Sequence, residues 1–177
     1  GGLCQVSTTL FRSALNAGME ILERRNHSYR VSYYEPPIGM DATIFDPAPD
    51  FRFKNNYSSY IFVQSKIVGT KITFEFYGTK DSRQVEIGQA VGFDYVEPPA
   101  PVETPDDSLQ PGERKQVQKS HQGASAKFHY KVTRDGKTLQ ETDFLSKYVA
   151  LPEIWLVGPA PAPAPEVTPD PSATPPV

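Results

Sequence analysis

One cysteine, three histidines, two methionines and one tryptophan in 177 residues set the first limits on this sequence. A single thiol excludes an internal disulfide framework and any multi-cysteine zinc site. No run of about 18 apolar residues occurs, so no segment reads as a membrane-spanning helix. Neither sign of charge dominates: 18 Lys+Arg face 21 Asp+Glu, a formal net charge of −3. That balance excludes a strongly basic nucleic-acid binder, which needs clustered Lys and Arg to neutralise phosphates. No cofactor is called for. Residue 1 is Gly and no signal-sequence pattern follows, so the sequence reads as a processed product or as a piece whose beginning lies elsewhere.

Proline is what the sequence has in excess, and it draws the expected boundaries. Of 18 prolines, five fall in residues 97–111 and eight in 159–177. Such stretches bury too little apolar surface to offset chain entropy and favour extended linkers. The expected organisation is a first domain at 1–96, a proline-rich acidic linker at 97–108, an all-β module at 109–158 and a proline-rich tail at 159–177. Charge follows the same division. Residues 1–96 carry ten acids and ten bases, residues 97–110 four acids and no base, and residues 111–158 eight bases and five acids.

The fold class expected is α+β, with one amphipathic helix packed on a small antiparallel sheet and an extended all-β module after it. Val6, Leu10, Phe11, Ala14, Leu15, Gly18, Ile21 and Leu22 recur at helical spacing, which predicts a helix over 7–25. Arg24 and Arg25 suit the negative end of such a helix. Strands are expected at 29–34, 60–68, 71–77, 83–87 and 91–96, with a hairpin turn at Gly69-Thr70. In the second module, 127–133 and 137–143 flank Arg134-Asp135-Gly136, a hairpin signal, and 153–157 forms a last strand.

The residues able to carry chemistry are Cys4, His27 and Asp41. Cys4 stands at a helix start, where unpaired N–H groups and the helix dipole favour the reactive thiolate. Gly2 would let a substrate approach the backbone, and the N–H of Cys4, with Gln5 as a second donor, could point at an oxyanion. His27 follows Cys4 by 23 residues and Asp41 follows His27 by 14. In that order they meet the demands of nucleophile, base and orienting acid. The same residues also fit plainer roles: a buried inert cysteine, a histidine capping the helix, an aspartate in a turn, or three ligands of one metal ion. His121 and His129 are expected at surface or interstrand positions.

Several separated stretches resemble a known family. Gly1-Gly2-Leu3-Cys4-Gln5-Val6-Ser7-Thr8-Thr9-Leu10-Phe11, Glu23-Arg24-Arg25-Asn26-His27-Ser28-Tyr29, Val31-Ser32-Tyr33-Tyr34, Gly39-Met40-Asp41-Ala42-Thr43 and Asp50-Phe51-Arg52-Phe53-Lys54-Asn55-Asn56 look like the second half of the VanW domain. VanW is a bacterial family associated with cell envelopes, whose domain normally continues upstream of these glycines. Residues 108–158, with Pro111-Gly112, Gly123, Asp135-Gly136 and Ile154 to Gly158, resemble the cell-surface domain named after its five glycines, which is thought to bind wall sugars.

The order Cys, His, Asp-X-Thr also looks like the papain and transglutaminase superfamily. Together these resemblances imply an extracellular or wall-associated bacterial protein whose partner is peptidoglycan or a surface glycan. They imply either a Cys4-His27-Asp41 amidase or transpeptidase acting on peptidoglycan peptides, or a noncatalytic wall-binding or surface-assembly module. Self-assembly, or completion by an upstream segment, is the further partnership implied.

Overall fold

The structure, a computed structural model, describes residues 2–161. Helix α1 spans Leu3–Asn16 and begins after Gly2, whose φ of 99° lies in the left-handed region. The helix predicted over 7–25 therefore starts earlier and stops nine residues sooner. Its end is set by Gly18 at φ 67°. Gly18 N–H donates to Leu15 O at 3.0 Å and Met19 N–H to Ala14 O at 3.0 Å, the paired bonds of a Schellman motif. An added Cβ at Gly18 would also lie 2.9 Å from the Arg83 and Val85 side chains. Past this stop the chain is extended, and Glu20–Glu23 form strand β1, antiparallel to β2 at Arg52–Lys54. Arg24 and Arg25 thus do not belong to a helix terminus.

Residues 29–34 do not make the expected strand; Ser32–Tyr34 form one turn of 3-10 helix. The Gly69-Thr70 hairpin forms as expected, joining β3 (Phe62–Val68) to β4 (Lys71–Tyr77), with Gly69 at φ 60°. Strands β5 (Gln84–Ile87) and β6 (Val91–Val96) also fall where the sequence placed them. Within the expected linker, however, Val102–Pro105 form β7, which pairs in parallel with β11 (Ile154–Val157). Strand β8 (Arg114–Gln118) lies on the other side of β11. Acidic, proline-rich composition did not prevent pairing here, and with the partner strand 52 residues on, no local pattern announces it.

The hairpin at Asp135-Gly136 joins β9 (Gly123–Arg134) to β10 (Lys137–Tyr148), each longer than expected. Along β9, Ala124, Ala126, Phe128, Tyr130 and Val132 are buried at every second position, the period of a strand with one face in a core. That face meets α1. Phe11, Leu15 and Ala42 form one buried cluster with Phe128, Tyr130 and Val132, and the Phe11 ring sits edge-on to Phe51 and Phe144 at 5.5 and 5.6 Å.

Strands β5 and β6 both pair with β9. The long hairpin expected in the second module therefore completes the core of the first, and the packing does not divide at 97–108. Tyr130 adds a polar tie: its hydroxyl donates to Leu15 O and Met19 O at the open C-terminal end of α1. The architecture is α+β. The tail expected at 159–177 lies, from 162 onward, outside the described residues.

Candidate functional site

Cys4 occupies the first turn of α1. The first helical bond runs from Val6 N–H to Gly2 O at 3.0 Å, so the N–H groups of Leu3, Cys4 and Gln5 precede the hydrogen-bonded ladder. Ser7 and Thr8, one turn on, are buried and donate to Ala42 O at 2.5 and 3.2 Å, while Thr8 Oγ1 accepts Ala42 N–H at 3.1 Å. Arg12 reaches Met40 O at 2.8 Å. Small hydroxyls and one arginine on this helix face therefore fix segment 40–44 alongside it. The half-buried Cys4 sulfur consequently lies 3.5 Å from Thr43 Oγ1 and 3.7 Å from Ile44 O.

The same segment carries Asp41, which is 4% exposed. Its Oδ2 accepts His27 Nδ1–H at 2.6 Å and His27 backbone N–H at 2.8 Å. With Nδ1 committed to Asp41, Nε2 is the ring nitrogen left for chemistry. The imidazole is held from a second direction by the Tyr34 ring, 5.0 Å between centroids.

Asp41 Oδ1 accepts the hydroxyl of Tyr148 and lies 3.4 Å from Arg24 Nη2. The Arg24 side chain is 2% exposed and also donates to Asp41 O, Gly39 O and Ser146 Oγ. Gly39 has a φ of 81°, and a Cβ there would meet Ala126 Cβ at 2.9 Å. Only glycine allows that carbonyl to turn toward Arg24 so close to β9.

Burial by itself would raise the Asp41 carboxyl, but the bonds from His27 and Tyr148 and the charge of Arg24 outweigh it and hold the group below the usual aspartate range. Burial lowers His27, yet its bond to Asp41 and the neighbouring Cys4 raise it overall. For Cys4, burial pushes the thiol up; the bond from Thr43, the Ile44 backbone and the His27 ring together bring it below the ordinary value. Thiolate and imidazolium therefore favour each other. The hydrogen-bond partners of the sulfur among the described residues are Thr43 and Ile44.

Of the residues expected from sequence, His27 and Asp41 are in contact, and Cys4 bonds to Thr43 on the segment that carries Asp41. Gly2 and Gln5 are exposed beside Cys4 at the helix start. No group of three or more His, Cys, Asp or Glu among the described residues is arranged to hold a metal ion. His129 takes an interstrand position, 2.7 Å from Asp143 across the β9–β10 ladder, and His121 packs on Tyr29.

Arg24, Tyr148 and Tyr34 were given no role in this site from the sequence. Tyr148 and Asp41 are 107 positions apart, and no local pattern announces such a contact. A groove of about 530 Å³ opens beside His27 and Thr43. A second of about 300 Å³, lined by Leu3, Ile44, Asp46 and Asp50, lies across Pro49, which borders both.

Residues 1–77 match the family described as "VanW like protein". The uncharacterised protein YoaR of Bacillus subtilis (strain 168) is 40% identical over 79 residues, 45% of this chain and 25% of that relative; the chain thus spans about a quarter of its length. Two solved structures also show likeness. The G5 domain of an IgA1 protease aligns over 48% of this chain and all of its own, at 10% identity and a TM-score of 0.28. The HP0197-G5 structure aligns over 43% of this chain and 97% of its own, at 17% identity and a TM-score of 0.22. No helix among the described residues is long and apolar enough to cross a membrane.

Proposed function

From the premise that residues 1–77 are a VanW-type segment, we propose that this is a bacterial cell-envelope protein and a cysteine-dependent amidase or transpeptidase acting on peptidoglycan peptides. The observation that carries the reading is the 2.6 Å bond from His27 Nδ1 to a buried Asp41, which leaves Nε2 uncommitted to that carboxylate, on a segment that also holds the helix-start Cys4 through Thr43. Cys4 thiolate attacks an amide carbonyl, a C–S bond forms, and the oxyanion is received by N–H groups of the first helical turn, with Gly2 leaving room. His27 gives its Nε2 proton to the departing amine as the C–N bond breaks. Water or a second amine then attacks the thioester, His27 takes the incoming proton, and the thiolate is released. Asp41 keeps the imidazole oriented throughout, as in other Cys-His arrangements.

The test is incubation of the chain with peptidoglycan stem peptides, followed by intact mass and amine release. An acyl adduct on Cys4 and free amine, both lost in Cys4→Ser, are expected. Neither appearing with any stem peptide overturns the enzyme reading.

A second reading has its own observation: the sulfur's direct hydrogen bonds go to Thr43 and Ile44, as those of a structural thiol would. On that reading the chain is a noncatalytic wall-binding or assembly module, with residues 109–158 holding glycan as the five-glycine resemblance implies. Binding to purified cell wall that survives Cys4→Ala, without any adduct, favours it.

A further inference from the structure

Arg24 and Arg25 are neighbours in sequence with opposite fates. Arg24 is buried against Asp41, whereas Arg25 is exposed and lines the groove beside His27. Lys147 behaves likewise. On β10 its neighbours Ser146 and Tyr148 point inward to Arg24 and Asp41, so the strand alternation turns Lys147 outward into the same groove.

The two cations are brought to one rim by hydrogen bonds to the main chain, one of them from the Asn26 side chain. Asn26 Nδ2 donates to Lys147 O at 2.9 Å, Val149 N–H to Ser28 O at 2.7 Å, and Thr43 N–H to Arg25 O at 2.8 Å. No ion pair among the described residues engages Arg25 or Lys147. No carboxylate lines this groove either, while Asp46 and Asp50 line the one across Pro49. Charge thus changes sign from one side of the Thr43-Ile44 segment to the other.

We propose that Arg25 and Lys147 are specificity-determining residues that receive a carboxylate on the His27 side of Cys4, making an acidic peptide the preferred substrate. The proposal rests on the reactive-thiol reading above. A concave, solvent-open groove carrying two like charges raises the local concentration of anions. An unpaired guanidinium and ammonium are suitable carboxylate partners, the first by a forked contact and the second as a point charge. A peptide carboxylate lying toward Asp46 and Asp50 would meet repulsion, so the pair of grooves also sets the direction in which the peptide lies.

The experiment uses the full chain, whose single cysteine makes labelling unambiguous by intact mass. Rates of Cys4 alkylation are measured with anionic iodoacetate and neutral iodoacetamide at 10 mM ionic strength, and their ratio is normalised to that of N-acetylcysteinamide. The ratio cancels any general change in thiol reactivity. The expected ratio for the wild type is about 3- to 10-fold above that of the Arg25→Gln/Lys147→Gln variant. The gap should vanish at 1 M salt, where the screening length falls to roughly 3 Å.

An acetylated Glu-containing tetrapeptide should also protect Cys4 from iodoacetamide at a concentration about threefold or more below that of its Gln counterpart. If iodoacetamide labels Cys4 rapidly but both comparisons show no difference, the acidic-substrate inference is wrong and the thiol reading stands. If Cys4 resists both reagents, the thiol reading itself fails and takes this inference with it.

Discussion

One oxygen of Asp41 receives two hydrogen bonds from the same residue, the Nδ1–H and the backbone N–H of His27, at 2.6 and 2.8 Å. The ring and its own main chain are thus clamped to one point, which fixes both the tautomer and the rotamer of the imidazole. The second oxygen is held by Tyr148 and Arg24. A buried carboxylate with all its partners present is stable; one partner removed leaves a charge exposed to a low dielectric.

Asp41→Ala should therefore cost more than a lost hydrogen bond, because the buried Arg24 guanidinium keeps its charge without its counter-ion. A loss of about 3–5 kcal/mol in urea unfolding is expected, the range for breaking a buried pair from one side. An Arg24→Met variant in the Asp41→Ala background should recover part of that loss, since both charges are then gone.

Tyr148→Phe removes a buried hydroxyl from a charged acceptor while leaving the ring in place. The expected loss is about 1.5–3 kcal/mol. The same change should raise the Asp41 carboxyl and loosen its hold on His27, so Cys4 alkylation at pH 7 should slow. A stability change with no change in alkylation would place Tyr148 in the scaffold alone.

Residues 1–96 expressed alone should not fold. They would lack Phe128, Tyr130, Val132 and Phe144, which cover Phe11 and Leu15, and the last turn of α1 would lose the Tyr130 hydroxyl. The amide spectrum of residues 1–96 should lack dispersion, whereas residues 1–158 should show it. A dispersed spectrum from the shorter chain would contradict the shared core.

Stability should fall at both ends of the pH range for different reasons. The folded Asp41 carboxyl is lowered, so its contribution is complete above its unfolded value near 3.9 and is lost as pH drops through the folded value. His27 is raised in the folded state, so its contribution is complete below about 6.5 and is lost as pH rises through the folded value. Urea midpoints from pH 2 to 9 check this: Asp41→Asn should flatten the acid limb, and His27→Ala should remove the decline that starts above 6.5.

How much of this was legible in the sequence depended on the range of each interaction. The turns at Gly69-Thr70 and Asp135-Gly136 were readable because a hairpin's turn residues are local. The start of α1 was expected at residue 7, four residues late, and its stop at Gly18 was missed. Helical spacing of Ile21 and Leu22 masked that stop, although Ile21 packs on the core from a strand. His27 and Asp41 were recoverable from residue type and order, while Tyr148 and Ser146 were not, since β10 reaches the site only through the long β9–β10 hairpin; Arg24 was read as a helix-end residue because the helix was expected to run to 25. Strand β7 was hidden for the same reason, its partner being β11 and its own composition that of a linker.

The central claim is that His27 adds to Thr43 and Ile44 in lowering the Cys4 thiol below its ordinary value, and the pH profile of Cys4 alkylation by iodoacetamide tests it most directly. The account predicts a midpoint below that of a free thiol, near 8.5, moving upward in His27→Ala while the fold is retained by circular dichroism. A midpoint at the free-thiol value, identical with and without His27, would contradict it.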